Sequence, residues 1–244
     1  MPAFDISASC SGFIYGLQLI QSLFKSNSFE NILLVTGDCM RSVIDPMDRN
    51  TWILFGDARV ASHWNSEKCE QIKPIILGED GSGYEDIMVP HGGSTSKEVN
   101  EQNKRAHFLD GQKIFKNAVT KMTESIREIL KKNKLSLNEI DWSVPHQANL
   151  GIIVATGNNL EVESKKVLTN LHKFGNTTNA YIPLCLCLVS TTVQVGQQNP
   201  IVLFRCRIYL GKCVDGVEVK IKSHSSYSKL TSQITTIFFS LYTY

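Results

Sequence analysis

The sequence predicts an α/β fold, because short apolar segments typical of buried strands alternate along the chain with segments of helical apolar periodicity. Apolar residues recur at helical spacing from Phe13 to Phe24, and again along the amphipathic segment from Lys113 to Lys132. Between these two segments, NILLVTGD (Asn31 to Asp38) and TWILFGD have the length and apolar composition of strands.

The remaining elements follow from the same two patterns. The opening MPAFDIS predicts a buried strand that turns sharply into the first helix at SASCSGF. The polar, glycine-rich stretch from Gly78 to Ser96 predicts loops. Further along, DWSVPH predicts a strand, Leu150 to Asn159 a helix, VLTNL a strand, and GNTTNAYIPLCLCLV the start of another helix.

Composition narrows the class of protein. The 244 residues are 42% apolar and 20% charged, as in ordinary globular domains, and a net charge of +2 indicates neither a nucleic-acid nor a membrane partner. No apolar run reaches the roughly 18 residues of a membrane span, and the N-terminus does not resemble a secretory signal. Seven irregularly spaced cysteines without a CxxC pair predict no zinc site or disulfide framework, which favours a reducing cytoplasm.

One cysteine lies where the chain enters the first helix. Cys10, in FDISASCSGFIYGL, would be placed at a helix N-terminus, where the helix dipole favours the thiolate and lowers the thiol pKa. Such a thiol is suited to attack on a thioester. Without further context, a single cysteine is more often a small buried apolar residue.

Two further segments offer polar groups that do not need a metal to act. His146, in SVPHQAN, follows a predicted strand and precedes a helix, so its imidazole could donate to a carbonyl oxygen or transfer a proton. Asn176, in FGNTTNAYIPL, offers an amide donor that does not titrate, and Gly175 permits a tight turn before it. Taken singly, both residues are ordinary capping or turn residues.

Together, the three segments resemble the β-ketoacyl-[acyl-carrier-protein] synthase III family of the thiolase superfamily. That family has a Cys in an AFDI-x-A-x-CSGF-x-YGL context, then a His in PHQAN and an Asn in GNT, and all three occur here in this order. DRNTWILFGD, LDGQKIFKNAV and EIDWSVPHQANL match as well, so the resemblance runs from about Met1 to Leu188. An Asn in place of a second His points to the initiating enzyme or its close relatives.

The resemblance implies a thiolase-like fold, layered α-β-α-β-α, and a decarboxylating Claisen condensation of an acyl-CoA of the acetyl-CoA type with malonyl-acyl-carrier protein. Cys10 would carry the acyl group, and His146 and Asn176 would bind the thioester oxygen that becomes an enolate. Arg49 would contact the CoA adenine and Asn149 the pantetheine.

The resemblance also implies partners. Acyl-carrier protein would dock near Gln147 and Gly151, although Gly151 stands where the family has a docking arginine. The intact family forms homodimers and needs neither a metal nor a cofactor. We expect no nucleic acid and no membrane as partners, and a cytoplasmic location.

Besides Gly151, the sequence departs from the family at three further places. The long segment that the family has before its nucleophile, which supplies the first strands, is expected to be missing. After LFGD, where the family has a small-residue run, this chain has ARVASHW, with Arg59 and Trp64. We therefore expect residues 1–100 to be the remainder of the N-terminal half, residues 101–203 to be the C-terminal half with His and Asn, and residues 204–244 to be an aberrant tail.

The third departure is the ending. The family ends in a strand–turn–strand with GGGFTWG or GAGFTWG, where a glycine N–H completes the oxyanion hole. Phe204 to Lys220 lacks this motif, but one permitted codon set for that segment, read one base later, encodes LGAGFTWGSVLMGWK and then a stop. We interpret residues 204–244 as the product of a frameshift, and expect the final strand pair to be disrupted.

Three other interpretations stay open. The chain could be a catalytically dead fragment of the enzyme. It could be another Cys–His–Asn member of the thiolase superfamily, such as a polyketide starter synthase or a hydroxymethylglutaryl-CoA synthase, although PHQAN and LDGQKIFK favour the fatty-acid enzyme. A cysteine hydrolase would also have a Cys–His pair, but it would not bring the GNT context.

Overall fold

The computed structural model describes residues 2–70, 72–88, 107–108, 110–140, 142–192, 199–202, 206–210 and 236–243. Helices and strands alternate from Gly12 to Glu79, as the sequence predicts, whereas further along the chain several helices or several strands follow one another directly. The helices are α1 (Gly12–Lys25), α2 (Arg49–Trp52), α3 (Ser66–Glu70), α4 (Gly111–Lys132), α5 (Leu150–Asn159), α6 (Leu171–Phe174) and α7 (Tyr181–Thr192). The strands are β1 (Asn31–Asp38), β2 (Ala58–Asn65), β3 (Ile76–Glu79), β4 (Ile87–Met88), β5 (His107–Phe108), β6 (Trp142–Ser143), β7 (Asn199–Val202), β8 (Cys206–Leu210) and β9 (Thr236–Thr243).

These strands form three sheets. Strands β1 and β2 pair antiparallel along their whole length, with Asn31 opposite Asn65 and Asp38 opposite Ala58. A five-stranded sheet has the order β3-β9-β8-β7-β6, with the pairs β3–β9 and β6–β7 parallel and the two central pairs antiparallel. Strands β4 and β5 form a short antiparallel ladder.

Helix α1 forms where the apolar periodicity predicts it. Its buried face includes Phe13, Ile14 and Leu17, which pack in one core with Val144 and with Tyr181 of α7. Burial of each large apolar side chain contributes roughly 1.5–3 kcal/mol relative to an exposed one. The same core therefore fixes α1, the segment around Val144 and the start of α7 with respect to one another.

A second core joins α4 and α5, which also begin and end close to the predicted positions. Met122 and Ile126 of α4 pack with Ile152 of α5 and with Leu160. The Asp110 side chain caps α4 by accepting a hydrogen bond from the Lys113 amide at 2.9 Å. The packing of α5 on α4 holds the start of α5, and with it the loop that contains His146.

Two predicted strands near the N-terminus are wrong. Residues 2–8 have no regular structure, and Phe4 is 67% exposed, because none of the described strands lies beside them to pair their backbone groups. TWILFGD begins as helix α2, since the Asp48 side chain accepts hydrogen bonds from the Asn50 amide at 3.0 Å and from Thr51 Oγ1 at 2.6 Å. The second strand starts only at Ala58.

The predicted strand VLTNL is also wrong, and DWSVPH forms only the two-residue strand β6. Val167 makes a single bridge to Ser143, with the Leu168 amide donating to the Ser143 carbonyl at 2.7 Å. The Gln147 side-chain oxygen then accepts hydrogen bonds from Thr169 Oγ1 at 2.6 Å and from the Asn170 amide at 3.2 Å. The Gln147 side chain thus takes the Asn170 backbone bond that a neighbouring strand would otherwise make.

The unusual residues of ARVASHW fit onto opposite faces of β2. Arg59 is exposed, whereas Trp64 is buried in the core around α1 and donates through Nε1 to Ser62 Oγ at 2.9 Å. Alternation along a strand therefore accommodates both residues.

Strands β8 and β9 lie within the segment expected to be an aberrant tail. Strand β7 pairs antiparallel with β8, with Ile201 opposite Ile208, so the sheet continues into that segment. Residues 203–205 and 211–235, which include much of the proposed frameshifted stretch, lie outside the described residues, as do residues 89–96 of the predicted loop region. No helix within the described ranges has the length and apolarity needed to cross a membrane.

Candidate active site

Cys10 lies in the 3₁₀ turn Ser9–Ser11, directly before α1 as the sequence predicts. Its side chain is partly exposed. Ser9 has a φ of 44°, a left-handed conformation that residues other than glycine adopt infrequently. This bend redirects the chain between the exposed N-terminal residues and the buried helix, and leaves the thiol at the positive end of α1.

His146 lies in the loop between β6 and α5, again as predicted. It is only 8% exposed, and its ring packs against the ring of Tyr181 with 4.5 Å between centroids and 56° between planes. Two residues earlier, Val144 is fully buried in the core around α1 and α7. The loop is therefore held by the buried Val144 before the imidazole and by the contact of the imidazole with Tyr181.

Asn176 lies where its own backbone segment approaches the segment from Leu54 to Gly56 closely. Its amide N–H donates to the Leu54 carbonyl at 2.8 Å, and its carbonyl accepts from the Gly56 amide at 3.0 Å. Its side-chain oxygen accepts from the Thr178 amide at 3.0 Å, and the residue is 5% exposed. A backbone N–H can only donate, so this bond fixes which end of the carboxamide is oxygen and leaves the NH₂ group to act as a donor.

The structure brings the surroundings of all three residues together. The Cys10 turn packs against the turn Thr178–Ala180, and a Cβ placed on Gly12 would lie 3.3 Å from the Cβ of Asn179. The same turn begins two residues after Asn176 and leads into Tyr181, whose ring contacts His146. The segments that carry Cys10, His146 and Asn176 thus meet around the N-terminal ends of α1 and α7.

The docking role expected for Gln147 does not fit its position. The side chain has no exposed surface, because its amide bonds the Pro145 carbonyl at 2.8 Å and the segment at Thr169 and Asn170. A residue without exposed surface cannot contact a carrier protein. Gln147 instead ties the His146 loop to the chain that leads to α6.

The other predicted binding residues lie on the surface. Arg49 is exposed at the first position of α2. Asn149 is exposed and caps α5, accepting from the Gly151 amide at 2.7 Å, and Gly151 is exposed in the first turn of that helix. Contacts of Arg49 with adenine, of Asn149 with pantetheine, and of Gly151 with a carrier protein stay predictions.

Sequence reasoning missed Thr178 and Asp38. The Thr178 hydroxyl donates to the carboxylate of Asp38, the last residue of β1, while the Thr178 amide bonds Asn176. A signal was present, since an acidic residue that ends an apolar strand and is partly buried usually has a partner. Only the fold reveals which residue the partner is.

Burial distinguishes Cys10 from several other thiols. Burial raises the pKa of Cys69 to about 11 and that of Cys185 to about 12, whereas Cys10 is partly exposed and Cys39 exposed. At pH 8, a thiol of pKa 11 to 12 is ionised in about one molecule in 10³ to 10⁴. We expect iodoacetamide to alkylate Cys10 and Cys39 in the native protein and to spare Cys69 and Cys185.

Peptide mapping by mass spectrometry checks this pattern. In guanidinium chloride all of these thiols should react, which provides the control for reagent and detection. Native alkylation of Cys185 at the rate of Cys39 would contradict the described burial.

Two family models match the chain. The model of 3-oxoacyl-[acyl-carrier-protein (ACP)] synthase III matches residues 4–81, and the C-terminal model of the same family matches residues 130–205. The first range contains Cys10, and the second contains both His146 and Asn176.

Curated relatives agree with these matches. The chain is 40% identical over 189 residues to the β-ketoacyl-[acyl-carrier-protein] synthase III of Azobacteroides pseudotrichonymphae, which covers 75% of this chain and 56% of the relative. It is 39% identical over 207 residues to that of Chlorobium phaeobacteroides, which covers 82% of this chain and 63% of the relative. The chain thus spans between 56% and 63% of the length of these two relatives.

Solved structures share the fold. The 3-oxoacyl-(acyl carrier protein) synthase III of Pseudomonas aeruginosa matches with a TM-score of 0.75 at 31% identity, over 82% of this chain and 62% of that chain. The priming β-ketosynthase of a polyketide biosynthetic pathway matches with a TM-score of 0.75 at 28% identity, over 86% of this chain and 62% of that chain. These likenesses confirm the predicted thiolase-like α/β fold, and with the sequence matches they show that the chain belongs to the 3-oxoacyl-[acyl-carrier-protein] synthase III family.

Proposed function

We propose that this chain carries the condensing site of a 3-oxoacyl-[acyl-carrier-protein] synthase III, with Cys10 as nucleophile and with His146 and Asn176 as donors to the thioester oxygen. The observation that carries the proposal is the meeting of the Cys10 turn, the turn after Asn176 and the ring that contacts His146 at the ends of α1 and α7. A thiol at a helix N-terminus supports nucleophilic attack.

In the first half-reaction, the thiolate of Cys10 attacks the carbonyl carbon of an acyl-CoA of the acetyl-CoA type. A carbon–sulfur bond forms to Cys10, the bond to the CoA sulfur breaks, and CoA leaves as a thiol after taking up a proton. Arg49, exposed on α2, would hold the adenine, and Asn149 the pantetheine.

In the second half-reaction, malonyl-acyl-carrier protein loses carbon dioxide. The electron pair of the broken carbon–carbon bond moves into an enolate, whose oxygen accepts hydrogen bonds from the Asn176 NH₂ group and from His146. The enolate carbon attacks the acyl group on Cys10 and releases the thiolate, which gives a 3-oxoacyl thioester. Decarboxylation supplies the electron pair, so the chemistry calls for neither a metal nor another cofactor.

The partners follow from these substrates. They are CoA thioesters and an acyl-carrier protein, whose docking site would lie near Gly151 on the exposed start of α5. The same proposal includes a homodimer, as in the intact family. It also includes a location in the reducing cytoplasm, which keeps a nucleophilic thiol reduced.

A second candidate shares the chemistry but not the pathway. The likeness to a polyketide priming β-ketosynthase supports a condensing enzyme that starts polyketide chains. The 40% identity to curated fatty-acid enzymes favours the first candidate. Turnover with the carrier protein of fatty-acid synthesis, compared with a polyketide carrier protein, distinguishes the two.

Acylation of Cys10 tests the proposal directly. The purified chain is incubated with acetyl-CoA, and its mass and tryptic peptides are analysed. We expect one acetyl group on the peptide that contains Cys10, complete loss of it in Cys10→Ser, and no change in the matched variant Cys39→Ser, which removes another exposed thiol. A folded sample that gains no acetyl group would instead favour the catalytically dead fragment.

A further inference from the structure

Thr178 has an unfavourable backbone conformation in a buried place. Its φ is 51°, in the left-handed region that β-branched residues rarely occupy, and the residue is 1% exposed. Such a conformation persists only where the surroundings hold it, and it tends to occur at functional sites. The contacts of Thr178 therefore need an explanation.

Those contacts connect a strand end to the predicted catalytic carboxamide. The Thr178 hydroxyl donates to the carboxylate of Asp38 at the end of β1, a charge-assisted hydrogen bond of the stronger kind. The Thr178 amide donates to the side-chain oxygen of Asn176 at 3.0 Å. One residue thus bonds the sheet on one side and Asn176 on the other.

We propose that Asp38 and Thr178 act as a positioning pair for Asn176. This inference rests on the function proposed above. The carboxylate holds Thr178 in its left-handed conformation, which aims the Thr178 N–H at the Asn176 oxygen. With its oxygen held in this way, the carboxamide presents its NH₂ group to the enolate oxygen. A rotated carboxamide would present its own oxygen and repel that charge.

The pair is expected to affect only one half of the reaction. Asn176 donates to the enolate oxygen, which arises when malonyl-acyl-carrier protein loses carbon dioxide. Acyl transfer from CoA to Cys10 does not form this enolate. A purely structural residue would slow both half-reactions together, so the ratio of the two rates reports on positioning.

The test compares two neighbouring threonines. Thr178→Val removes the hydroxyl with little change of shape, and Thr177→Val does the same one position earlier. Thr177 is also 1% exposed, and its buried Oγ1 has no hydrogen-bond partner among the described residues. We expect Thr178→Val to release carbon dioxide from malonyl-acyl-carrier protein about 10- to 100-fold more slowly, while Cys10 acetylation stays within about twofold. Thr177→Val should change neither rate, and Thr178→Ser, which keeps the hydroxyl, should recover decarboxylation.

Decarboxylation by Thr178→Val at the wild-type rate, or an equal loss in Thr177→Val, would overturn the pairing. Asp38→Ala removes the carboxylate from the partly exposed strand end, and should reproduce the selective loss if Thr178→Val does not fold. A wild-type chain that neither acetylates nor decarboxylates contradicts the proposed function instead. In that case, the positioning of Asn176 by Asp38 and Thr178 is tested by NMR. The signals of the Asn176 side-chain NH₂ group should shift in Thr178→Val and Asp38→Ala but not in Thr177→Val.

Discussion

A chain with Gly56→Ala is expected to lose about 3 kcal/mol of unfolding free energy, since overpacking against atoms that cannot yield is strongly destabilising. A Cβ on residue 56 would lie 1.8 Å from the Phe174 carbonyl oxygen and 3.0 Å from its carbonyl carbon. Both are backbone atoms, which cannot rotate away as the end of a side chain could. The segment that contains Asn176 therefore has to shift.

The same substitution should slow decarboxylation. The Gly56 amide donates to the Asn176 carbonyl at 3.0 Å, so any separation of the two segments moves Asn176 directly. A displacement of about 1 Å at a group that stabilises a transition state costs about 100-fold in rate. We therefore expect a loss of about that size in carbon dioxide release, beyond the loss of stability.

Chemical denaturation and the decarboxylation assay check both effects. Gly157→Ala is the matched control, because Gly157 lies within α5 and a Cβ there meets nothing within 4 Å. It should leave decarboxylation unchanged and stabilise the chain by up to about 1 kcal/mol, since alanine favours helices more than glycine. An unchanged denaturation midpoint for Gly56→Ala would show that the two segments separate easily.

Glycine is required on both sides of this approach. Gly175 has a φ of +66°, and a Cβ on it would lie 2.9 Å from the Leu54 carbonyl oxygen. The parallel bridge between Phe55 and Asn176 forms only because neither flanking glycine has a side chain. LFGD and FGNT are far apart in the sequence. Together they form one backbone contact that positions Asn176.

The elements that could be predicted from sequence are those whose signal is local. Helix α5 begins and ends at the predicted residues, and α1 and α4 lie within two residues of their predicted starts, because apolar periodicity and caps such as Asp110 act over a single turn. The motifs located Cys10, His146 and Asn176 for a related reason, since each lies at an element boundary that its neighbours encode.

Several of the misses share a physical cause, whereas the miss at TWILFGD arose from the local helix cap by Asp48. Apolar composition suggested strands at MPAFDIS and VLTNL, but a strand exists only where another strand pairs with it. Pairing depends on residues distant in sequence, and in VLTNL it is replaced by the Gln147 side chain. The burial of Gln147 and the bond between Asp38 and Thr178 depend on the same tertiary contacts, which no local pattern contains.

Replacing residues 204–244 with LGAGFTWGSVLMGWK is expected to raise the condensation rate by about 100- to 1000-fold, the usual effect of one oxyanion-hole donor. The resemblance implies that a glycine N–H of this motif, together with the N–H of Cys10, binds the oxygen that becomes negative when the enolate attacks the acyl group. Strand β8, at Cys206–Leu210, occupies the corresponding stretch and pairs with β7, so the replacement would enter an existing sheet.

Kinetics of both chains with acetyl-CoA and malonyl-acyl-carrier protein measure this gain. Introducing Cys10→Ser into the repaired chain should abolish it, which separates condensation at this site from any contaminating activity. The frameshift itself is tested by the DNA under Phe204 to Lys220, which should encode GAGFTWG one base out of frame. If that DNA encodes no such motif in any frame, and the repaired chain condenses no faster than the original, the tail is a native part of the protein. The oxyanion would then have to be bound by the Cys10 amide together with groups from elsewhere in the chain.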